Sequence, residues 1–238
     1  MTGDNIYTDG GYLKKNPSWG SEDSEWKAIE INKLIARNQL AARTVVEIGC
    51  GFGRILWHLS RLNKAISRLT GFDISPQAIQ KAQELESDKL KFFQGDFAIG
   101  PAGYFDLVLV IDVIEHLENY FEFLRNIRDA GDKFIFHIPI DLSCRTLFKP
   151  HITLQQRRDV GHLHYFSHDH IEWILKDTGY VIIDWTLSYP EVDRNKPANF
   201  KSWLKKILRK ISFTISKKWS VTLWGGYSIM ILAAKDDE

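Results

Sequence analysis

Two groups of side chains in this chain have types and spacing suited to chemistry. The first is Glu47-Ile48-Gly49-Cys50-Gly51-Phe52-Gly53-Arg54, which follows the β-branched run Thr44-Val45-Val46. A strand entering a turn of three alternating glycines permits φ > 0 and a close approach of backbone to a ligand. The helix that follows turns unpaired N–H groups and a positive dipole end toward whatever lies above that turn. Gly49, Gly51 and Gly53 form G-x-G-x-G, and Arg54 stands where a dinucleotide fingerprint needs its third glycine. No Gly-Lys-Ser/Thr ending is present, so the loop is not a phosphate cradle of that type. Glu47, just before the turn, would repel a pyrophosphate and suits a ligand carrying an amino or sulfonium cation. The second group is Asp112-Val113-Ile114-Glu115-His116, with Gly161-His162-Leu163-His164 further on. His116 is the candidate general base, with helix capping or packing as its alternative. Of His162 and His164, one is a candidate for catalysis and the other for structure. His137 is expected to be buried and hydrogen-bonded.

These residues need strands to hold them. Leu69–Ile74 reads as a second strand ending in Asp73, about 20 residues past the glycine loop, where an acid meets ribose hydroxyls in nucleotide-binding βαβ units. Ser75-Pro76 then opens a helix through Leu85, as an N-cap and a first-turn proline. A third strand, Leu90–Gln94, precedes Gly95-Asp96-Phe97, an acid and an aromatic able to bracket an adenine. Asp96 has a plain turn role as its alternative, and Phe97 a core role. The fourth strand, Phe105–Ile111, delivers Asp112 and the Glu-His pair.

With these pieces in order, the sequence resembles the class I S-adenosylmethionine-dependent methyltransferases, through VVEIGCGFGR, GFDIS, GDF and FDLVLVIDVIEHL. GHLHYFSHDHIEWILKDTGY and the strand after it are similar to the later part of such enzymes. The resemblance spans about residues 40–187 and 224–235. It implies an α/β fold: a doubly wound, seven-stranded, mostly parallel sheet with an antiparallel last strand and helices on both faces. It also implies S-adenosyl-L-methionine as cofactor. The loop Glu47, Gly49, Cys50, Gly51 and Gly53 would hold the methionine moiety. Asp73, followed by Ile74, would hold the ribose and Asp96-Phe97 the adenine, while Ile111 and Asp112 line the pocket below the sulfonium. Asp112, Glu115, His116 and a later histidine, His162, also resemble the divalent-metal site of ubiquinone-pathway and small-RNA O-methyltransferases. Asp112 there stands where those families usually show Glu.

Composition sets outer bounds. The chain has 238 residues, 44% of them hydrophobic, enough for one large domain with a sizeable core. A net charge of +1 argues against a nucleic-acid partner, and two cysteines make no disulfide framework. A polar start without a signal-peptide pattern and no apolar run of about 20 residues point to a cytoplasmic protein. The expected organisation is an N-terminal arm and helix over 1–40, which the resemblance implies is a lid with Tyr12 and Trp19 as its candidates, and a core over 41–187. A basic helical insertion over 188–222 and a last strand and tail over 223–238 complete it. The connection 141–167 shows no period and is read as shaping the acceptor pocket. Phe200, Trp203, Leu204, Ile207, Leu208, Ile211 and Ile215 form a helical stripe, with lysines on the opposite face and no acid from 194 to 235. That stripe either packs on the domain, attracts an anionic acceptor, or makes peripheral contact with an anionic membrane.

The expected function is methyl transfer to a small or medium acceptor, at oxygen, the acceptor being a sugar, nucleotide sugar, lipid-linked glycan or quinone precursor. The rivals are a catalytically silent cofactor-binding subunit and a nicotinamide-dependent oxidoreductase.

Overall fold

The computed structural model describes residues 5–99, 103–188 and 200–236. Seven strands form one sheet: β1 (Thr44–Ile48), β2 (Arg68–Asp73), β3 (Leu90–Gln94), β4 (Phe105–Ile111), β5 (Gly131–Ile140), β6 (Tyr180–Ser188) and β7 (Tyr227–Lys235). Their spatial order is β3-β2-β1-β4-β5-β7-β6. β3, β2, β1, β4 and β5 pair in parallel, whereas β7 runs antiparallel between β5 and β6. The order reverses beside β1: the chain leaves β1 for β2 on one side and returns to β4 on the other. That crevice, at the carboxyl ends of the strands, is where such sheets bind ligands.

Alternation along β1 builds both faces. Val45 packs with α3 (Ser24–Arg37), α4 (Arg54–Leu62) and α5 (Pro76–Gln83), through Ile31, Leu34, Leu56, Leu59 and Ile79. Val46 packs on the other side with α6 (Tyr120–Ile127) and α9 (His168–Asp177), through Leu124, Ile127, Ile171 and Leu175. This is the two-layered burial that makes parallel strands read as continuous apolar runs. Leu56 is fully buried on the amphipathic face of α4; its truncation to Ala would cost about 2–5 kcal/mol.

Local signals place the element ends. The Ser75 hydroxyl accepts from the Ala78 N–H with Pro76 at the first helical position, and Ser167 caps α9 in the same way through His170. Gly179, at φ +84°, ends that helix. The N-terminal arm folds as α1 (Asn5–Thr8), α2 (Gly11–Lys15) and a 3₁₀ turn at Ser21–Asp23. The 141–167 connection holds two short helices, α7 (Cys144–Phe148) and α8 (His151–Asp159). A reciprocal Ser143–Thr146 capping box opens the first of them. β5 runs through Pro139 to Ile140, with Pro139 opposite Ser228. The neighbour β4 has already ended opposite His137, so on that side proline costs no ladder bond. Lastly, the 200–219 segment is two helices, α10 (Phe200–Ile215) and α11 (Lys217–Trp224), because the Ser216 hydroxyl accepts from the Trp219 N–H and starts a new one.

Candidate active site

The glycine turn is folded back onto β2. The N–H groups of Gly49 and Cys50 both donate to the Phe72 carbonyl, at 2.8 and 3.0 Å. The Asp73 carboxylate accepts from the Gly51 N–H at 2.8 Å through one oxygen and from the Ser75 N–H at 2.8 Å through the other. Asp73 therefore braces the loop as well as facing the pocket. Burial raises its pKa, while the two N–H bonds act to lower it. Gly51 sits at φ +53°, and a Cβ there would lie 2.5 Å from the Trp19 ring. Gly53, at φ +69°, begins α4, and its Cβ would lie 2.3 Å from the Phe92 ring. Both positions thus exclude any side chain, on backbone and on steric grounds.

Above this turn is a cavity of about 910 Å³. Glu47, Gly49, Cys50, Gly51, Asp73, Ile74, Asp96, Phe97, Ile111 and Asp112 line it; so do Glu115, His116 and His162. Gly53 lies behind the wall, packed on Phe92. Tyr7, Tyr12 and Trp19 cover it from the N-terminal side, with Trp19 stacked on Phe52 at 5.6 Å. Phe97 is mostly buried, edge-on to Phe72 at 5.2 Å, so it is a core residue at the pocket wall. Asp96 accepts the Ala98 N–H at 2.9 Å and so also makes a turn.

The far end of the cavity is dense in ionisable groups. Glu47 is buried, its Oε2 has no hydrogen-bond partner, and burial pushes its pKa well above the usual carboxylate range. Asp112 has φ +55°, a left-handed conformation rarely adopted by non-glycine residues. Its Oδ2 accepts from Lys27 Nζ at 2.5 Å, and its Oδ1 lies 2.6 Å from His137 Nδ1. Burial alone would raise the pKa of Asp112. The His137 and Lys27 charges and hydrogen bonds outweigh it and hold the carboxyl far below its usual range. His137 is buried and hydrogen-bonded as expected.

Glu115, His116 and His162 converge beside this pair, with one potential ligand atom from each lying within 4.8 Å of the others. Glu115 is fully buried with both carboxyl oxygens unpartnered, and its pKa is raised well above normal by burial and then by the Asp112 charge. His116 Nδ1 is 2.9 Å from the Tyr7 hydroxyl. Burial, then the neighbouring His162, lowers its pKa to about 4, so it is neutral at pH 7. His162 Nδ1 lies 3.0 Å from Asp141, which also accepts from Gln156 of α8 at 2.8 Å. The His164 ring packs edge-on against Tyr120 at 4.8 Å, and its backbone N–H donates to the Glu115 carbonyl at 3.1 Å. Of the four residues considered for a metal, three are brought together; Asp112 is turned to Lys27 and His137 instead. An acid and two imidazoles fit a divalent ion chemically.

The sequence reading did not pick out Lys27, Tyr7 or Asp141. Lys27 enters from one helical turn into α3, far from any motif, and only the neighbouring apolar positions hinted that its face is buried. Tyr7 and Asp141 act through tertiary contacts that no local spacing encodes.

A seven-stranded sheet with β7 antiparallel, a glycine turn braced by an acid at the end of β2, and a cavity at the switch point are the features of a class I S-adenosylmethionine-dependent methyltransferase domain. The family profile described as a methyltransferase domain matches residues 24–184, and the chain belongs to that family. It is similar to N-methyltransferase 4 of Papaver somniferum, 26% identical over 207 residues, covering 79% of this chain and 56% of that one. It is also similar to ajmaline N-methyltransferase of Rauvolfia serpentina, 36% identical over 114 residues, 42% and 38% of the two chains. The chain thus spans little more than half, or less, of the length of these relatives. Among solved structures it resembles the Synechocystis PCC 6803 magnesium protoporphyrin IX methyltransferase with bound SAH. The TM-score is 0.61 at 16% identity, over 98% of this chain and 97% of that one. That likeness is one of fold.

Proposed function

We propose that the chain binds S-adenosylmethionine above Gly49–Gly53 and transfers its methyl group to an amine nitrogen of a small or medium acceptor. The observation that carries the cofactor half is the braced glycine turn facing a large cavity, with the partnerless Glu47 carboxyl at its floor. A ligand bearing an ammonium or sulfonium meets there a carboxyl that can ionise in response. Asp73 stands at the ribose position and Asp96-Phe97 at the adenine position. When bound, the cofactor supplies a methyl group on a leaving group that is already activated. The chain's own task is therefore alignment of the acceptor and exclusion of water. Tyr7, Tyr12 and Trp19 supply the cover.

Nitrogen is supported by the names of the two relatives and by the far end of the cavity, where the buried Glu115 carboxyl has no hydrogen-bond partner and would ionise in response to a nearby ammonium. The reacting nitrogen must shed a proton. His162 is suited to take it, since Asp141 fixes its Nδ1 and leaves Nε2 for transfer. His116, depressed to about 4, serves as a neutral hydrogen-bond acceptor and a weak base.

Transfer to oxygen is the second reading, and it rests on the Glu115–His116–His162 cluster. A divalent ion held there would lower the pKa of a hydroxyl acceptor such as a sugar or quinone precursor. Two measurements decide. Titration calorimetry with S-adenosylhomocysteine should give binding that is lost in Asp73→Ala; no binding to a folded wild type would remove the cofactor assignment. A screen of amine and hydroxyl acceptors with and without chelator then separates the two. Turnover of amines unaffected by chelator supports nitrogen, and turnover of hydroxyls abolished by it supports oxygen.

A further inference from the structure

Among the described residues, the apolar stripe of α10 turns mostly outward, with Ile207 half-buried at its edge. At 100° per residue, Phe200, Leu204, Leu208, Ile211 and Ile215 fall within about 80° of one another, and all five are exposed, Ile215 by 80%. Trp203 lies beside them, 45% exposed. The inward side is the opposite one. Arg209 is only 4% exposed; its guanidinium donates to the Gly225 carbonyl and faces the Trp224 and Tyr227 rings. Phe213 stacks on Tyr227 at 5.5 Å. The helix is thus pinned by its polar and aromatic side and turns its greasy side outward. α11 adds Trp219, 75% exposed, and Leu223. It packs against α7, whose Leu147 and Phe148 are exposed as well, Phe148 by 87%.

The charges say what covers this surface. Residues 200–224 carry six lysines and an arginine and no acid. On the helical wheel Lys201 flanks the stripe about 20° beyond Leu208, and Lys210 flanks the other edge about 20° beyond Trp203. Both are exposed. Lys149 continues the charge next to Phe148. An apolar strip bordered on both edges by lysines, with tryptophans at its margins, fits a plane where hydrocarbon lies below and anionic headgroups lie alongside. A second protein would need acids placed opposite these lysines, and α10 and α11 themselves have none to offer a second copy. We propose that the outward face of α10 and α11, extended by Leu147 and Phe148 of α7, docks on the surface of an anionic lipid bilayer. No helix among the described residues is long and apolar enough to cross one, so the contact is peripheral.

The test is co-sedimentation of the full chain with phosphatidylcholine vesicles carrying about one third phosphatidylglycerol, beside pure phosphatidylcholine. It is run at about 0.1 M and about 1 M salt, where the screening length falls from ~10 to ~3 Å. Binding to the anionic vesicles, weakened at high salt, is expected. Lys201→Glu/Lys210→Glu should weaken it by at least about 25-fold, roughly fivefold per lysine. Leu208→Glu/Ile211→Glu should abolish it. Both variants alter exposed positions, so an unchanged melting curve and unchanged S-adenosylhomocysteine binding report an intact domain and separate this result from the cofactor reading. No partition at low salt overturns the proposal, as does full binding by the Leu208/Ile211 variant. A salt-resistant dimer in light scattering that the Leu208/Ile211 variant dissociates, without vesicle binding, would assign the face to a second copy instead.

Discussion

Lys27→Met tests the charge balance at the acceptor end. The Lys27 ammonium is largely buried and lies 2.5 Å from Asp112. Burial alone would lower its pKa, but Asp112, with Glu115 and Glu47 behind it, draws the net shift upward. Methionine keeps most of the stem's volume while removing the charge, leaving Asp112 with His137 alone amid two further buried carboxyl groups. Breaking one partner of such a pair costs about 3–5 kcal/mol. For a domain of this size that is a fall of about 6–20 °C in Tm. The pH dependence has a definite sign. Asp112 has a lowered folded pKa, so its contribution is present above the ordinary carboxylate value and fades as pH falls below it. Lys27 has a raised one, so its contribution is present below the ordinary lysine value and fades as pH rises past it. Between those limits the pair contributes fully, and a melt at pH 7 reads all of it. Asp112→Asn in the Lys27→Met background should recover part of the loss, because the uncompensated charge is gone. A Tm change under about 2 °C in Lys27→Met, or a double variant less stable than Lys27→Met alone, would refute the reasoning.

Glu47→Gln mimics the protonated acid. Its carboxyl has a raised folded pKa, so wild type loses stability relative to the variant as pH rises from the ordinary carboxylate value upward. Melts from pH 4 to 9 should show the variant gaining, while calorimetry shows weaker S-adenosylhomocysteine binding. Gly51→Ala places a methyl group 2.5 Å from Trp19 at φ +53° and costs about 1–3 kcal/mol of backbone strain. Titration should show affinity for S-adenosylhomocysteine falling tenfold or more as the cover is displaced. His162→Gln should lower turnover about 100-fold or more with S-adenosylhomocysteine affinity within twofold of wild type; Asp141→Asn should lower kcat about tenfold with KM unchanged, since it acts through the ring it holds.

What the sequence revealed was local. The glycine loop, Asp73, Ser75-Pro76 and the fourth strand each announce themselves within a few residues, because turns, caps and β-branched runs are short-range physics. The relation of these pieces in space followed from a known topology. The Asp112–Lys27–His137 arrangement did not, because it joins a helix, a strand end and a neighbouring strand and requires a left-handed residue that has no sequence signature. The 141–167 helices were hidden because α8 is polar nearly throughout, so no period marks it. The helix of 200–215 was legible but its direction was not. Apolar residues at helical spacing show that a helix has two unlike faces, and only the burial of Arg209 tells which one the domain took.

The cover over the cavity is tied at both ends of the site. Tyr7 reaches His116, and the Thr8 carbonyl accepts from Gln77 of α5 at 3.3 Å. Asn16 and Lys15 donate to the Asp159 and Arg158 carbonyls at the end of α8, at 2.9 and 3.3 Å. One short segment thus closes the nucleoside side and the acceptor side together. A ligand in either half that favours the closed arrangement stabilises it for the other, by the same factor in both directions. Under the proposed reading, an acceptor that favours closure would therefore also raise the affinity for S-adenosylhomocysteine.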